Sequence, residues 1–282
     1  MRVMKIAFFG DSFCSHLDGK QASVGSYKYN INYRYDTYIK KLELHYSAEI
    51  VHLGLGGSSI YDVILSQFPN FLKENSYPDV CVFVWTDRAR IFHKTVRNIT
   101  PSTTFDTKHD KDLEVWNSAK AYYTHLYDHD SANFQFNASL SYFDHTVLSE
   151  FPKSTKIIHM WSFPNQAHHN TPRWNTGVEI FPALIEVSKL KWDLEHHPGY
   201  VGFDTSLNHL AGPKKNELVF NWIRNAIDNY KNGELIDESS TIQPEHQDWG
   251  GDLLPYRCYN TTADQKDIGR YSYGQLHKLS KS

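Results

Sequence analysis

Short apolar runs and helix-spaced apolar positions alternate through the first half of the chain, and this alternation predicts strands followed by helices. The run from Ile6 to Phe9 has the length and composition of a buried strand and ends abruptly in Gly10-Asp11-Ser12. Residues 36–47 carry Tyr38, Ile39, Leu42 and Tyr46 at helical spacing. Glu49 to Leu55 reads as a second strand, and Gly56-Gly57-Ser58-Ser59 as a turn that ends in helix-capping residues. An amphipathic helix is expected over Ile60 to Lys73, with Ile60, Val63, Ile64, Gln67 and Phe68 on one side. Asp79 to Trp85 is apolar almost throughout, as a parallel strand covered on both faces must be.

Residues 88–153 break the rhythm. They contain two stretches, 110–129 and 131–151, that read as helices rich in Tyr, Phe and Trp. Such an insertion either packs on itself or forms a wall over a ligand. Ser154 to Phe163 predicts a fourth strand, and 164–200 a second, irregular insertion. Lys214 to Lys231 is the closing helix, with Leu218, Trp222, Ile223 and Ile227 as its apolar stripe. One α/β domain over residues 1–231 follows: a mostly parallel sheet between helix layers, a three-layer α/β/α sandwich. Residues 232–282 are a polar extension, expected to wrap the domain or to be partly disordered.

Composition narrows the classes. The chain has 282 residues, 40% of them apolar, enough for a full core. Its net charge of −3, with both signs mixed, gives no footprint for nucleic acid and no basic membrane patch. Sixteen histidines are scattered without metal-ligand spacing, so no metal is expected. Three distant cysteines, Cys14, Cys81 and Cys258, imply no disulfide framework. Cys14, two residues past Ser12, is a minor candidate for a reactive thiol. A strand that begins by Lys5 leaves no room for a signal peptide, and no apolar run reaches membrane-spanning length, so the expectation is a cytoplasmic protein.

Active residues of such a fold lie on loops at the carboxyl ends of strands. Ser12 stands there, as a nucleophile if a base reaches it. The glycines of Gly54-Leu55-Gly56-Gly57 let a backbone N–H approach a ligand, for an oxyanion or equally for a phosphate. The spacing is not that of a dinucleotide fingerprint. His209, on the loop before the closing helix, is the candidate base.

Together these pieces resemble the SGNH (GDSL-like) hydrolase family over roughly the first 230 residues, carried by short blocks. Gly10-Asp11-Ser12 resembles the first block, Leu53-Gly54-Leu55-Gly56-Gly57-Ser58 the second, and Asn208-His209-Leu210 the last. The resemblance implies a flavodoxin-like fold, no cofactor, and a serine esterase. Ser12 is then the nucleophile, His209 the base, and the N–H groups of Ser12 and Gly57 the oxyanion donors. It implies a small-molecule or carbohydrate ester as substrate, and among these an O-acetylated carbohydrate. Two positions depart from the family pattern. Asp87 stands near the position of an oxyanion Asn, where a carboxylate would repel an oxyanion, unless it turns away toward Arg88 or Arg90. Ser206 stands where the family has the acid, which leaves Asp204, or a backbone carbonyl, to orient His209. Asp11, Trp85, Arg88 and Asn208 border these loops and are the expected substrate contacts. The alternative to an esterase is a weak or inactive binding protein on the same fold.

Overall fold

The computed structural model of the chain describes residues 2–15, 36–106, 109, 111–163, 174–188, 210 and 213–242. Six strands, β1 (Lys5–Gly10), β2 (Glu49–His52), β3 (Val80–Trp85), β4 (Lys156–Trp161), β5 (Val178–Phe181) and β6 (Glu234–Asp237), form one sheet in the order β2-β1-β3-β4-β5-β6. Every pairing is parallel. From β1 the chain steps first to β2 on one side and then to β3 on the other. The crevice between the carboxyl ends of β1 and β3 is therefore the topological switch point, where open sheets of this kind hold ligands.

The helices lie on both faces, which makes the three-layer sandwich expected from the sequence. They are α1 (Tyr38–Tyr46), α2 (Ile60–Asp62), α3 (Phe68–Glu74), α4 (Pro101–Asp106), α5 (Leu113–His125), α6 (His129–Tyr142), α7 (Leu184–Ser188) and α8 (Pro213–Asp228). Side chains of a strand alternate between faces. Phe8 meets Tyr38 of α1 edge-on at 6.0 Å, and on the same face Lys156 Nζ donates to the Ile227 carbonyl of α8. Phe9 points the other way, stacking on Phe83 at 5.3 Å and meeting Phe68 of α3 at 5.4 Å. Phe143, just past α6, closes this second layer against Phe83 and Trp85. β1, β3 and β4 are buried nearly end to end, which is why they read as continuous apolar runs.

The structure differs from the sequence reading in four places. The second strand stops at His52, because the N–H groups of Gly54 and Leu55 turn to the carbonyls of Cys14 and Gly10. The stretch 164–200 is not wholly irregular: it contains β5 and α7. β5 is only four residues long and includes Glu179, whose carboxylate is buried and accepts the Trp161 N–H at 2.7 Å. β6 lies beyond residue 231, so the sheet reaches into the polar extension; as a short, half-exposed edge strand it lacks an apolar signature. The insertion also holds α4, and its loops pack against α5 in a small core of their own around Val96, Ile99, Ala119 and Tyr123. Among the described residues no helix is long and apolar enough to cross a membrane.

Candidate functional site

Ser12 begins a single 3-10 turn, Ser12–Cys14, directly off the carboxyl end of β1. Asp11 caps the turn: its Oδ1 accepts the Phe13 N–H at 3.1 Å, and its carbonyl accepts the Cys14 N–H. Ser12 is half-buried while its neighbours Asp11, Phe13 and Cys14 are buried, so of these four residues the serine alone retains solvent access.

The loop after β2 is clamped onto this turn. Gly54 N–H donates to the Cys14 carbonyl at 3.0 Å, and Leu55 N–H to the Gly10 carbonyl at 2.9 Å. The approach is so close that a Cβ at Gly54 would lie 2.4 Å from Cys14 Sγ. A Cβ at Gly56 would touch Ser12 Cβ at 4.0 Å, so the Gly56-Gly57 turn lies beside the serine. Gly57 has φ +76°, and a Cβ there would press on Asn98 at 2.8 Å. Cys14 is the spacer between the two loops. Burial, and next the negative charge of Asp11, push its thiol well above the ordinary range, which leaves it protonated and unsuited to nucleophilic work.

Beneath both loops runs a buried amide. Gln67, in the π-helical turn Val63–Gln67 between α2 and α3, accepts the Gly10 N–H through Oε1 at 3.1 Å. Its Nε2 faces the Gly10 carbonyl at 3.0 Å, Ser58 Oγ at 2.9 Å and Asp62 Oδ2 at 3.0 Å. The sequence pattern puts Gln67 in an apolar stripe; in the structure it is the joint that ties the second helical segment to the ends of both strands.

The third side of the site comes from the loop after β3. Arg90, 9% exposed, donates from Nη1 to the Ser58 carbonyl at 3.0 Å, with the same nitrogen 3.4 Å from Asp11 Oδ2. Its guanidinium lies 5.3 Å from the centre of the Phe163 ring. Ser162, off β4, donates its hydroxyl to Asp11 Oδ1 at 2.8 Å. Asp11 is therefore a fully buried hub that joins the ends of β1 and β4 to the loop after β3, and offers no surface to a substrate. Asp87 accepts the Ala89 N–H through Oδ1 at 2.9 Å, and its negative charge helps burial to raise the Tyr123 and Tyr127 hydroxyls, so it faces the insertion. Arg88 donates to Asn133 of α6 and lines a cavity of about 760 Å³ under the insertion. Trp85, expected as a substrate contact, is fully buried. Its N–H is spent on His159 Nδ1 at 3.0 Å, and its ring stacks on Trp174 at 5.1 Å, so it belongs to the core.

His209, Asn208 and Asp204 lie outside the described residues. Leu210, next to His209 in sequence, is buried, and its position is fixed by a relay. Its carbonyl accepts Asn216 Nδ2 at 2.8 Å; Asn216 Oδ1 accepts the Tyr38 N–H at 2.9 Å; and the Tyr38 hydroxyl donates to the Phe13 carbonyl at 2.9 Å. The start of α8 is thus connected through the start of α1 to the Ser12 turn. Sequence reasoning gives no site role to Gln67, Ser162 and Asn98, and names Arg90 only as a partner for Asp87, whereas the structure pairs it with Asp11. Only Gln67 carried a signal, as a polar residue in an apolar stripe. Among the described residues no group of three or more His, Cys, Asp and Glu side chains could hold a metal ion. No protein-family model, no curated protein and no solved structure matches this chain.

Proposed function

We propose that the chain is a serine ester hydrolase of the SGNH type, with Ser12 as nucleophile and His209 as base. The observation that carries this reading is the half-exposed Ser12 on a capped turn at the switch point, with the Gly56-Gly57 turn against it. The relay from Phe13 to Leu210 adds support, because it ties the residue after His209 to the nucleophile's own turn.

In this reading His209 takes the Ser12 hydroxyl proton as Oγ attacks the ester carbonyl carbon. The carbonyl electron pair moves onto oxygen, which is held by the N–H groups of Ser12 and Gly57. The tetrahedral intermediate collapses, the C–O bond to the alcohol breaks, and His209 returns its proton to the leaving alkoxide. Water, deprotonated by His209, then attacks the acyl carbon, the bond from that carbon to Ser12 Oγ breaks, the free acid departs, and His209 returns its proton to Ser12 Oγ. Asp11 and Arg90 hold the turn in shape and do not touch the reacting atoms. An O-acetyl group on a carbohydrate is the substrate this reading favours, since the insertion supplies a tyrosine-lined cavity next to the strand ends.

A fluorophosphonate probe and p-nitrophenyl acetate test the proposal. The wild-type chain should be labelled on Ser12 and turn over the ester, and Ser12→Ala should do neither. Absence of both labelling and turnover in the wild type would overturn it. A second reading, a binding protein with a weak site, is favoured by one observation: the carboxylate of Asp87, rather than an amide, stands on the loop after β3. Ligand binding with no labelling would select it.

A further inference from the structure

The Gly56-Gly57 turn is the most pliant backbone at the strand ends, yet it carries a group that must stay in place. Glycine has the widest range of backbone angles, so two in succession fix an N–H poorly. An oxyanion donor works only when it is held in advance at hydrogen-bonding distance. One internal bond closes the turn, from the Ser58 N–H to the Leu55 carbonyl at 3.1 Å. Among the described residues the Gly57 N–H itself has no acceptor.

The restraint comes from the segment 90–99, which opens the insertion. The Asn98 N–H donates to the Gly57 carbonyl at 2.8 Å, and Arg90 Nη1 donates to the next carbonyl, that of Ser58, at 3.0 Å. These two donors stand at the ends of one closed loop. The Ile91 N–H donates to the Ile99 carbonyl at 2.9 Å, and the two residues form an isolated antiparallel bridge. Arg97 adds a third attachment, with Nε 3.6 Å from Asp62 Oδ2 of α2. Behind the bridge, the buried Tyr123 hydroxyl of α5 faces the carbonyls of Ala89 at 2.5 Å and Ile99 at 3.1 Å, so the loop is braced by a helix of the insertion.

Asn98 makes its contact in an uncommon conformation. Its φ is +61°, in the left-handed region that asparagine enters more readily than most residues with a side chain. Its Cβ and N would lie 2.8 and 3.0 Å from a Cβ at Gly57, so the two left-handed residues pack directly on one another. Asn98 is exposed, so burial of its side chain does not account for the conformation. What the conformation does achieve is the grip on Gly57.

We propose that Asn98 is a positioning residue, and that the loop 90–99 is a clasp that holds the Gly57 N–H in register with the Ser12 N–H. Asn98 acts through Gly57 and does not touch the reacting atoms. This role rests on the reading of Ser12 as nucleophile, and it gives the insertion a task besides lining a cavity.

Two substitutions in the full chain test it. Glycine keeps both the N–H and the left-handed conformation, whereas β-branched valine is strained there. Asn98→Val should slow fluorophosphonate labelling and lower kcat for p-nitrophenyl acetate by about tenfold or more, with KM unchanged, since a misplaced oxyanion donor weakens only the transition state. Asn98→Gly should recover most of that loss, the rescue expected of a backbone role. Thermal melts check that both variants are folded at the assay temperature. A folded Asn98→Val with wild-type labelling overturns the clasp. So does a loss confined to KM, and so does an Asn98→Gly as slow as Asn98→Val, which would place the effect in the carboxamide. If the wild-type chain is neither labelled nor active, the hydrolase reading falls and the clasp falls with it. If the wild type is active and Asn98→Val matches it, only the clasp is lost.

Discussion

Replacing Gln67 by Leu removes the joint under the site while keeping a side chain of similar volume. Four contacts go: one from the Gly10 N–H and three from Nε2 to the Gly10 carbonyl, Ser58 Oγ and Asp62 Oδ2. They are not equal losses. The Gly10 carbonyl still accepts the Leu55 N–H, and Ser58 Oγ still donates to Asp62 Oδ2 at 2.6 Å. The Gly10 N–H is left buried with nothing to donate to, which costs about 1–3 kcal/mol. Asp62, a buried carboxylate, keeps Ser58 and the more distant Arg97 at 3.6 Å but loses one donor, for roughly 1 kcal/mol more. The better apolar transfer of Leu offsets a fraction of this. Before that offset the loss sums to about 2–4 kcal/mol, which is the upper bound. An unfolding entropy of about 2.1 cal/mol/K per residue gives about 0.6 kcal/mol/K for 282 residues, and hence a fall in Tm of up to about 3–7 °C. Differential scanning calorimetry reads it, with urea midpoints as a second measure. Because Gly10 leads straight into Asp11 and Ser12, fluorophosphonate labelling should slow at temperatures where the variant is still folded. A Tm within 1 °C of wild type would refute the assignment of Gln67 as the joint.

Three other outcomes follow from the same geometry. Gly57→Ala forces a side chain into a left-handed conformation and onto Asn98, so it should cost about 1–2 kcal/mol or more, whereas Gly56→Ala, with only ordinary contact to Ser12, should cost much less; thermal melts of the pair compare them. His159 is buried, and desolvation lowers its pKa to about 4, so the unfolded chain binds a proton that the folded chain refuses between about pH 6.5 and 4. Stability should therefore fall by about 3 kcal/mol as pH drops through that window, and His159→Gln, able to keep bonds to Trp85 and the Thr176 carbonyl, should flatten the fall in urea titrations. Cys14 and Cys81 are buried with thiols held protonated, so iodoacetamide followed by peptide mapping should leave both unmodified in the native chain and alkylate both in urea.

The sequence by itself determined the sheet's centre and the place of Ser12. β1, β3 and β4 are covered on both faces, so their burial is written as unbroken apolar runs, and Gly10 marks where β1 must turn. The start of α8 was legible for a similar reason, since Pro213 and the apolar stripe behind it are local signals. β5 and β6 were not legible. Each has four residues, and their place is set by pairing with a neighbour distant in sequence rather than by their own pattern.

The site divides the same way. A Gly-Asp-Ser turn and a Gly-Gly turn can be read from neighbouring residues, but what joins them cannot. Arg90 reaches Ser58 across 32 positions, Gln67 reaches Gly10 across 57, and Ser162 reaches Asp11 across 151. A hydrogen bond leaves no periodicity in the chain, so tertiary structure alone decided that Asp11 is a buried hub, that Asp87 faces the insertion, and that Trp85 is core. The physical reason is the range of the forces. Apolar burial and backbone strain act on each residue where it stands, whereas polar partners are chosen only once the fold has brought them within about 3 Å.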